Sequence, residues 1–93
     1  MNELTGKTAL VTGGSRGIGA AIVRRLGQAG AHVAVNYAGS KDAAEALVAE
    51  IEAAGGKAFA VQADVSSLAG IETMFAACDA AFGGAPNIDI LIN

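Results

Sequence analysis

A chain of 93 residues has room for one domain, and 53% hydrophobic against 16% charged residues is the composition of a globular protein. The net charge is −3 and the six Lys and Arg residues are scattered, so no basic stripe offers itself to nucleic acid. No apolar run approaches the ~20 residues that cross a membrane, the start Met-Asn-Glu-Leu-Thr-Gly-Lys lacks the basic region and apolar core of a signal peptide, and a lone cysteine, Cys78, rules out an internal disulfide and points to a cytoplasmic setting.

Strand and helix patterns alternate along the chain. Residues 8–12 read as a buried strand, and 17–29 as a helix with Ile18, Ile22, Leu26 and Ala29 on one face. Gly30 stands where a left-handed residue ends a helix. Residues 32–36 form the second strand. A helix over 41–54 follows, with Ser40 as N-cap, Asp42 and Glu45 in its first turn, and Ala44, Leu47, Val48 and Ile51 inward. Gly55-Gly56 ends it, and 57–62 is the third strand. The third helix, 68–82, is capped by Ser66 or Ser67 and turns Ile71, Met74, Phe75, Cys78 and Phe82 inward. Gly83-Gly84-Ala85-Pro86 breaks the pattern before a fourth strand over 89–93.

This βαβαβαβ order, with near-continuous apolar strands, predicts an α/β fold: a Rossmann-type, doubly wound parallel sheet covered by helices on both faces. Right-handed crossovers leave strand order 3-2-1-4. Ile90-Leu91-Ile92 would then be an apolar edge with no helix after it. Residues 1–93 therefore read as the first half of a larger sheet, the N-terminal part of one domain.

The chemistry concentrates in Thr12-Gly13-Gly14-Ser15-Arg16-Gly17-Ile18-Gly19, between the first strand and the first helix. A strand, a glycine turn and a helix N-terminus make a phosphate cradle, because bare backbone lets a pyrophosphate approach unpaired helix N–H groups. The spacing is G-x3-G-x-G. It is not G-x-G-x-x-G, since Ile22 stands at its last glycine, nor a P-loop, since Ala20 replaces the lysine.

With this motif the chain resembles the short-chain dehydrogenase/reductase family. Asp64-Val65 after the third strand and Asp89-Ile-Leu-Ile-Asn93 match the family's next two landmarks in order and spacing. The resemblance covers essentially the whole chain and is nearest to the 3-oxoacyl-carrier-protein reductase and glucose dehydrogenase-like members. It implies that Gly13 and Gly17 let the backbone meet a pyrophosphate, with Ile18 and Gly19 at the helix start beneath it. It implies that Asp64 accepts from the adenine amine, that Val65 lines the adenine pocket, and that Asn93 lies near a cofactor ribose. Family members with Ser-Arg in this turn, here Ser15-Arg16, use NADP(H).

Cofactor choice also has a physical handle. NAD-binding folds carry an acid at the end of the second strand for the ribose 2′-hydroxyl. Here that strand ends Val35-Asn36-Tyr37-Ala38, with no acid until Asp42. A 2′-phosphate would meet no repulsion from Asn36 or Tyr37, and Arg16 with Lys41 would attract it. NADP is therefore the expected cofactor, with NAD as the alternative. Some of the related reductases carry a basic residue just after Asn-Tyr, where this chain has Ala38.

Tyr37-Ala-Gly-Ser-Lys41 spells the family's catalytic Tyr-x3-Lys, but the family's pair lies on a later helix behind a serine, a spacing that Arg24 and Arg25 occupy here. No residue of this chain is assigned a catalytic role. His32 starts a strand without a partner cluster and Cys78 faces a core, so neither suggests a metal site or a nucleophile. Arg24, Arg25, Glu50 and Glu52 read as solvated helix faces. The family implies an oxidoreductase acting on a small carbonyl or alcohol, usually as a homodimer or homotetramer. A non-catalytic nucleotide-binding module is the other reading of the same residues.

Overall fold

The computed structural model describes residues 3–83 and 88–93; the expected breaker at Gly84-Ala85-Pro86 lies outside them. Strand β1 is Thr8–Val11, helix α1 Gly17–Gln28, strand β2 His32–Tyr37, helix α2 Lys41–Ala53, strand β3 Lys57–Gln62, helix α3 Leu68–Ala81 and strand β4 Ile90–Ile92. The four strands are parallel in the order β3-β2-β1-β4.

Side chains alternate across this sheet, as the two-residue period of a strand requires. One face sets Val11, Val33, Val35 and Ala58 against Ala20 and Val23 of α1 and Ala44, Leu47 and Ile51 of α2. The other sets Leu10, Ala34 and Val61 against Met74 and Cys78 of α3. Cys78 is fully buried, and burial and then the charge of Asp79 push its thiol up to about 11.

Helix α1 keeps its predicted face at Ile22 and Leu26, which pack on the core it shares with α2, and at Ala29, which is buried, and departs from it only at Ile18. Ile18 is 82% exposed, and the residues against the sheet are Ala20 and Val23. The reason is closeness. A Cβ on Gly19 would overlap the carbonyl oxygen of Gly13, and one on Gly27 would lie 3.3 Å from Ile51 of α2. Glycine thus lets the helix approach its neighbours at both ends, and its first turn leaves Ile18 outward. Its end is as expected: Gly30 has φ +99°, Gly30 N–H donates to Gly27 and Ala31 N–H to Leu26. The same pair of bonds ends α2 at Gly55 and Gly56.

The caps divide. Ser67 caps α3, its hydroxyl accepting from Gly70 N–H at 3.2 Å. Ser40 occupies the N-cap position of α2 but makes no capping bond, because its ψ of 60° lies outside the extended region that aims a cap side chain back at the helix. Strand β4 is shorter than the predicted 89–93. Asp89 instead clasps β1, its carboxylate accepting from Thr8 N–H at 2.9 Å while its own N–H donates to the Thr8 carbonyl at 3.0 Å. These bonds, Thr8 N–H first, hold the Asp89 carboxyl below its ordinary pKa.

Two side chains expected at the surface are engaged. Arg24 bridges α1 to α2 through Glu50 at 2.7 Å, a half-exposed pair. His32 sits edge-on to Phe59 and Phe82, with centroids 5.8 and 4.8 Å away. Burial, and next the charge of Lys57, hold the imidazole below its ordinary pKa of 6.5. The unfolded chain then binds the proton more readily, so His32 costs stability as the pH falls below about 6.5. Thermal midpoints measured from about pH 7.5 to 5.5 should fall, and His32→Phe should flatten that slope. An unchanged slope in the variant would assign the effect to other groups.

Candidate functional site

Parallel strands put every strand-to-helix turn at one edge of the sheet. Residues 12–16 leave β1 there, 38–40 leave β2, 63–67 leave β3, and Asn93 follows β4. The crossover from β3 to β4 passes over β2 and β1, so the crevice where strand order reverses opens beside the first of these turns.

The glycine turn is built on itself. Gly13 and Gly17 have φ of +62° and +55°, a region that side chains rarely adopt. A Cβ on Gly14 would lie 3.1 Å from both Val11 O and Val23 Cγ2. Gly13 N–H donates to Asn36 Oδ1 at 3.1 Å, and Gly14 N–H to the Asn36 carbonyl at 3.0 Å. Arg16 is the N-cap of α1, with φ −143° and ψ 159° and no side-chain cap bond, and the first turn carries no acid. The N–H groups of Gly17, Ile18 and Gly19 have no acceptor within the helix, and no carboxylate competes for them. Gly13, Arg16, Gly17 and Ile18 are exposed; Ser15 and Gly19 are partly so.

Beside this turn Arg16 lines a shallow groove of about 360 Å³ with Gly39, Ser40, Lys41, Asp42 and Ala43. Two cations thus outnumber one carboxylate. Ala38, the residue before the groove's Gly39, is exposed, and its carbonyl accepts from Gln62 Nε2 at 3.0 Å.

Asn36 and Tyr37 face inward. Asn36 is 2% exposed, and its Nδ2 donates to the carbonyls of Val61 and Ala63, each at 3.3 Å. Tyr37 is 8% exposed and belongs to the core under α1 and α2, while Lys41 opens α2. The signal for Asn36 was in the sequence: an amide within a Val- and Ala-rich strand needs partners where it is buried.

Asp64 and Val65 follow β3, and both are exposed. Asp64 Oδ1 accepts from the Ser66 hydroxyl and from Ser66 N–H, which holds the carboxyl below its ordinary pKa. Its Oδ2 makes no hydrogen bond among the described residues. Gly70 was not anticipated: a Cβ there would overlap the Asp64 carbonyl oxygen, so α3 packs directly on this turn. Asn93 is exposed beyond β4, where Thr12 N–H and its hydroxyl reach the Ile92 carbonyl at 2.9 and 3.3 Å.

A cavity of about 930 Å³ lies at the opposite edge among Lys7, His32, Gly55 and Lys57 and shares no residue with the glycine turn. The helix ends there are C-terminal and present carbonyl oxygens, the wrong pole for a phosphate. Among the described residues no His, Cys, Asp and Glu cluster has metal-binding geometry, and no helix is long and apolar enough to cross a membrane.

Fold and site together define an α/β protein of the Rossmann type with a glycine turn at the switch point of its sheet. Residues 7–93 match the short chain dehydrogenase family, and the chain belongs to it. It is 49% identical over 87 residues to a 3-oxoacyl-acyl-carrier-protein reductase of Staphylococcus epidermidis, covering 94% of this chain and 34% of that protein. An uncharacterized oxidoreductase of Methylorubrum extorquens is 52% identical over 93 residues, which is 36% of its length. Among solved structures, a short chain dehydrogenase from Burkholderia cenocepacia in complex with NADP superposes with TM-score 0.90 at 51% identity, over 99% of this chain and 36% of that one. The chain spans about a third of the length of these relatives.

Proposed function

We propose that this chain supplies the adenosine- and pyrophosphate-binding part of an NADP(H)-dependent oxidoreductase. The observation that carries the reading is the glycine turn: an uncapped, acid-free helix N-terminus opens beside a groove lined by Arg16 and Lys41. Gly13 and Gly17 give the pyrophosphate close approach, and the N–H groups at Ile18 and Gly19 receive its oxygens. Ser15 and Arg16 face the 2′-phosphate, with Asn36 and Tyr37 as the wall behind it. Asp64, ionised by its bonds from Ser66, accepts from the adenine amine, Val65 covers the adenine ring, and Asn93 lies toward the ribose.

When bound, the nicotinamide would supply hydride transfer to or from a carbon atom of a carbonyl or alcohol; the S. epidermidis relative is named as a reductase of a 3-oxoacyl group. None of the 93 residues is assigned to that proton relay; the family's serine, tyrosine and lysine lie later in its sequence. The whole protein is read as a cytoplasmic homo-oligomer.

The test is equilibrium binding of NADPH and NADH to the purified chain, followed by a turnover assay with ketones and 3-oxoacyl thioesters. Expected are saturable NADPH binding and no NADPH oxidation above the protein-free rate. A folded chain that binds neither cofactor would overturn the binding role. Turnover abolished by Tyr37→Phe would overturn the view of Tyr37 and Lys41 as non-catalytic.

A further inference from the structure

Asn36 holds three segments with one amide. Its Oδ1 accepts from Gly13 N–H at 3.1 Å, and its Nδ2 donates to Val61 and Ala63 at the end of β3, each at 3.3 Å. Its main-chain carbonyl takes Gly14 N–H at 3.0 Å as well. It is the one buried polar residue among those described, and its side chain is fully bonded.

We propose that Asn36 is a positioning residue that orients the glycine turn and ties it to the Asp64 turn. The inference rests on the cofactor reading above. Two consequences follow from the bonding. First, Asn36 draws the N–H groups of Gly13 and Gly14 into the protein, so the amides left to face a ligand are those that open α1. Second, the amide that grips Gly13 also grips Ala63, the residue before Asp64. The pyrophosphate side and the adenine side of the site therefore keep a fixed spacing through one side chain.

Other residues cannot replace it. Serine has too short a reach to span three partners. Aspartate can accept from Gly13 but cannot donate to two carbonyls, and it would set a buried charge against them. Alanine leaves the Gly13 N–H and both carbonyls without this partner.

The experiment compares the full chain with Asn36→Ala, Asn36→Asp and a control, Val33→Ala. Val33 is on the same strand, fully buried on its other face. Asn36→Ala should raise the dissociation constants of NADPH and NADH alike, by about tenfold. Val33→Ala should lose stability and leave both constants unchanged. Amide exchange of Gly13, measured without ligand, should be slow in the parent chain, fast in Asn36→Ala and slow again in Asn36→Asp. Equal binding losses in Asn36→Ala and Val33→Ala, or unchanged Gly13 exchange in Asn36→Ala, would overturn the proposal. Should the Asn36 variants not fold, the parent chain still decides it. A scalar coupling across the hydrogen bond from Gly13 N to Asn36 Cγ is expected, and its absence overturns the assignment. Failure of the parent chain to bind either cofactor sinks the cofactor reading instead, and leaves the exchange result to judge Asn36.

Discussion

Arg16→Ala should weaken NADPH about ten- to hundredfold and leave NADH nearly unchanged, the size of one lost charge-assisted hydrogen bond to a phosphate. The effect is selective because only NADPH carries the 2′-phosphate, and the groove beside Arg16 has no acid at the end of β2 for a free 2′-hydroxyl. The complementary change is Ala38→Asp. Ala38 is exposed next to the groove's Gly39, whereas Tyr37 is buried in the core, so an acid at 38 tests specificity and an acid at 37 tests stability. Ala38→Asp should reverse the preference toward NADH by repelling the phosphate and accepting from the hydroxyl. Dissociation constants at one fixed salt concentration decide the matter, since the phosphate attraction is screened. Equal losses of both cofactors in Arg16→Ala would assign Arg16 to the pyrophosphate or to the fold.

Gly19→Ala should abolish measurable binding of both cofactors. The new methyl group would overlap the Gly13 carbonyl oxygen and come within 3.0 Å of Gly14 Cα. Both neighbours are backbone, so they can yield only by opening the turn that Asn36 holds closed. Overpacking of this kind costs on the order of 1–3 kcal/mol, a large part of the stability of so small a domain. Gly27→Ala is the contrast. The nearest atoms to its methyl would be those of the flexible Ile51 side chain, at 3.3–3.5 Å and away from the turn. It should lower the melting midpoint slightly and spare binding. Calorimetric titration and a thermal melt of each variant check this, and full binding by Gly19→Ala would show that the turn is not the cradle.

The sheet was legible because hydrophobic runs and glycine punctuation are local signals. β3 matches its predicted span, and the other elements differ only at their ends. What escaped was set by backbone geometry and by tertiary contacts. Ile22, Leu26 and Ala29 of the α1 stripe do face the core, but Ile18, in the first turn beside the close approach of Gly19 to Gly13, is left outward. Ser40 has the right chemistry for a cap, but the loop leaving β2 sets its backbone angle. Arg24 finds Glu50 only because α1 lies on α2, and His32 finds Phe82 only because α3 ends over the strand that His32 begins. At the site, the glycine turn was legible as a motif between a strand and a helix, and Asp64 was singled out by the family resemblance. The inward role of Asn36 depends on carbonyls 25 and 27 residues further along the chain, which no spacing rule contains.

The clasp between Thr8 and Asp89 also dictates an order of assembly. It joins residues 81 positions apart, whereas the Gly13–Asn36 and Asn36–Val61 bonds span 23 and 25. Closing the longer loop costs about 1 kcal/mol more in chain entropy, and its reward is a strand of three residues. The first three strands and two helices can therefore nucleate through successive short crossovers, with β4 docking late on a finished template. The glycine turn and its Asn36 lock belong to the early unit.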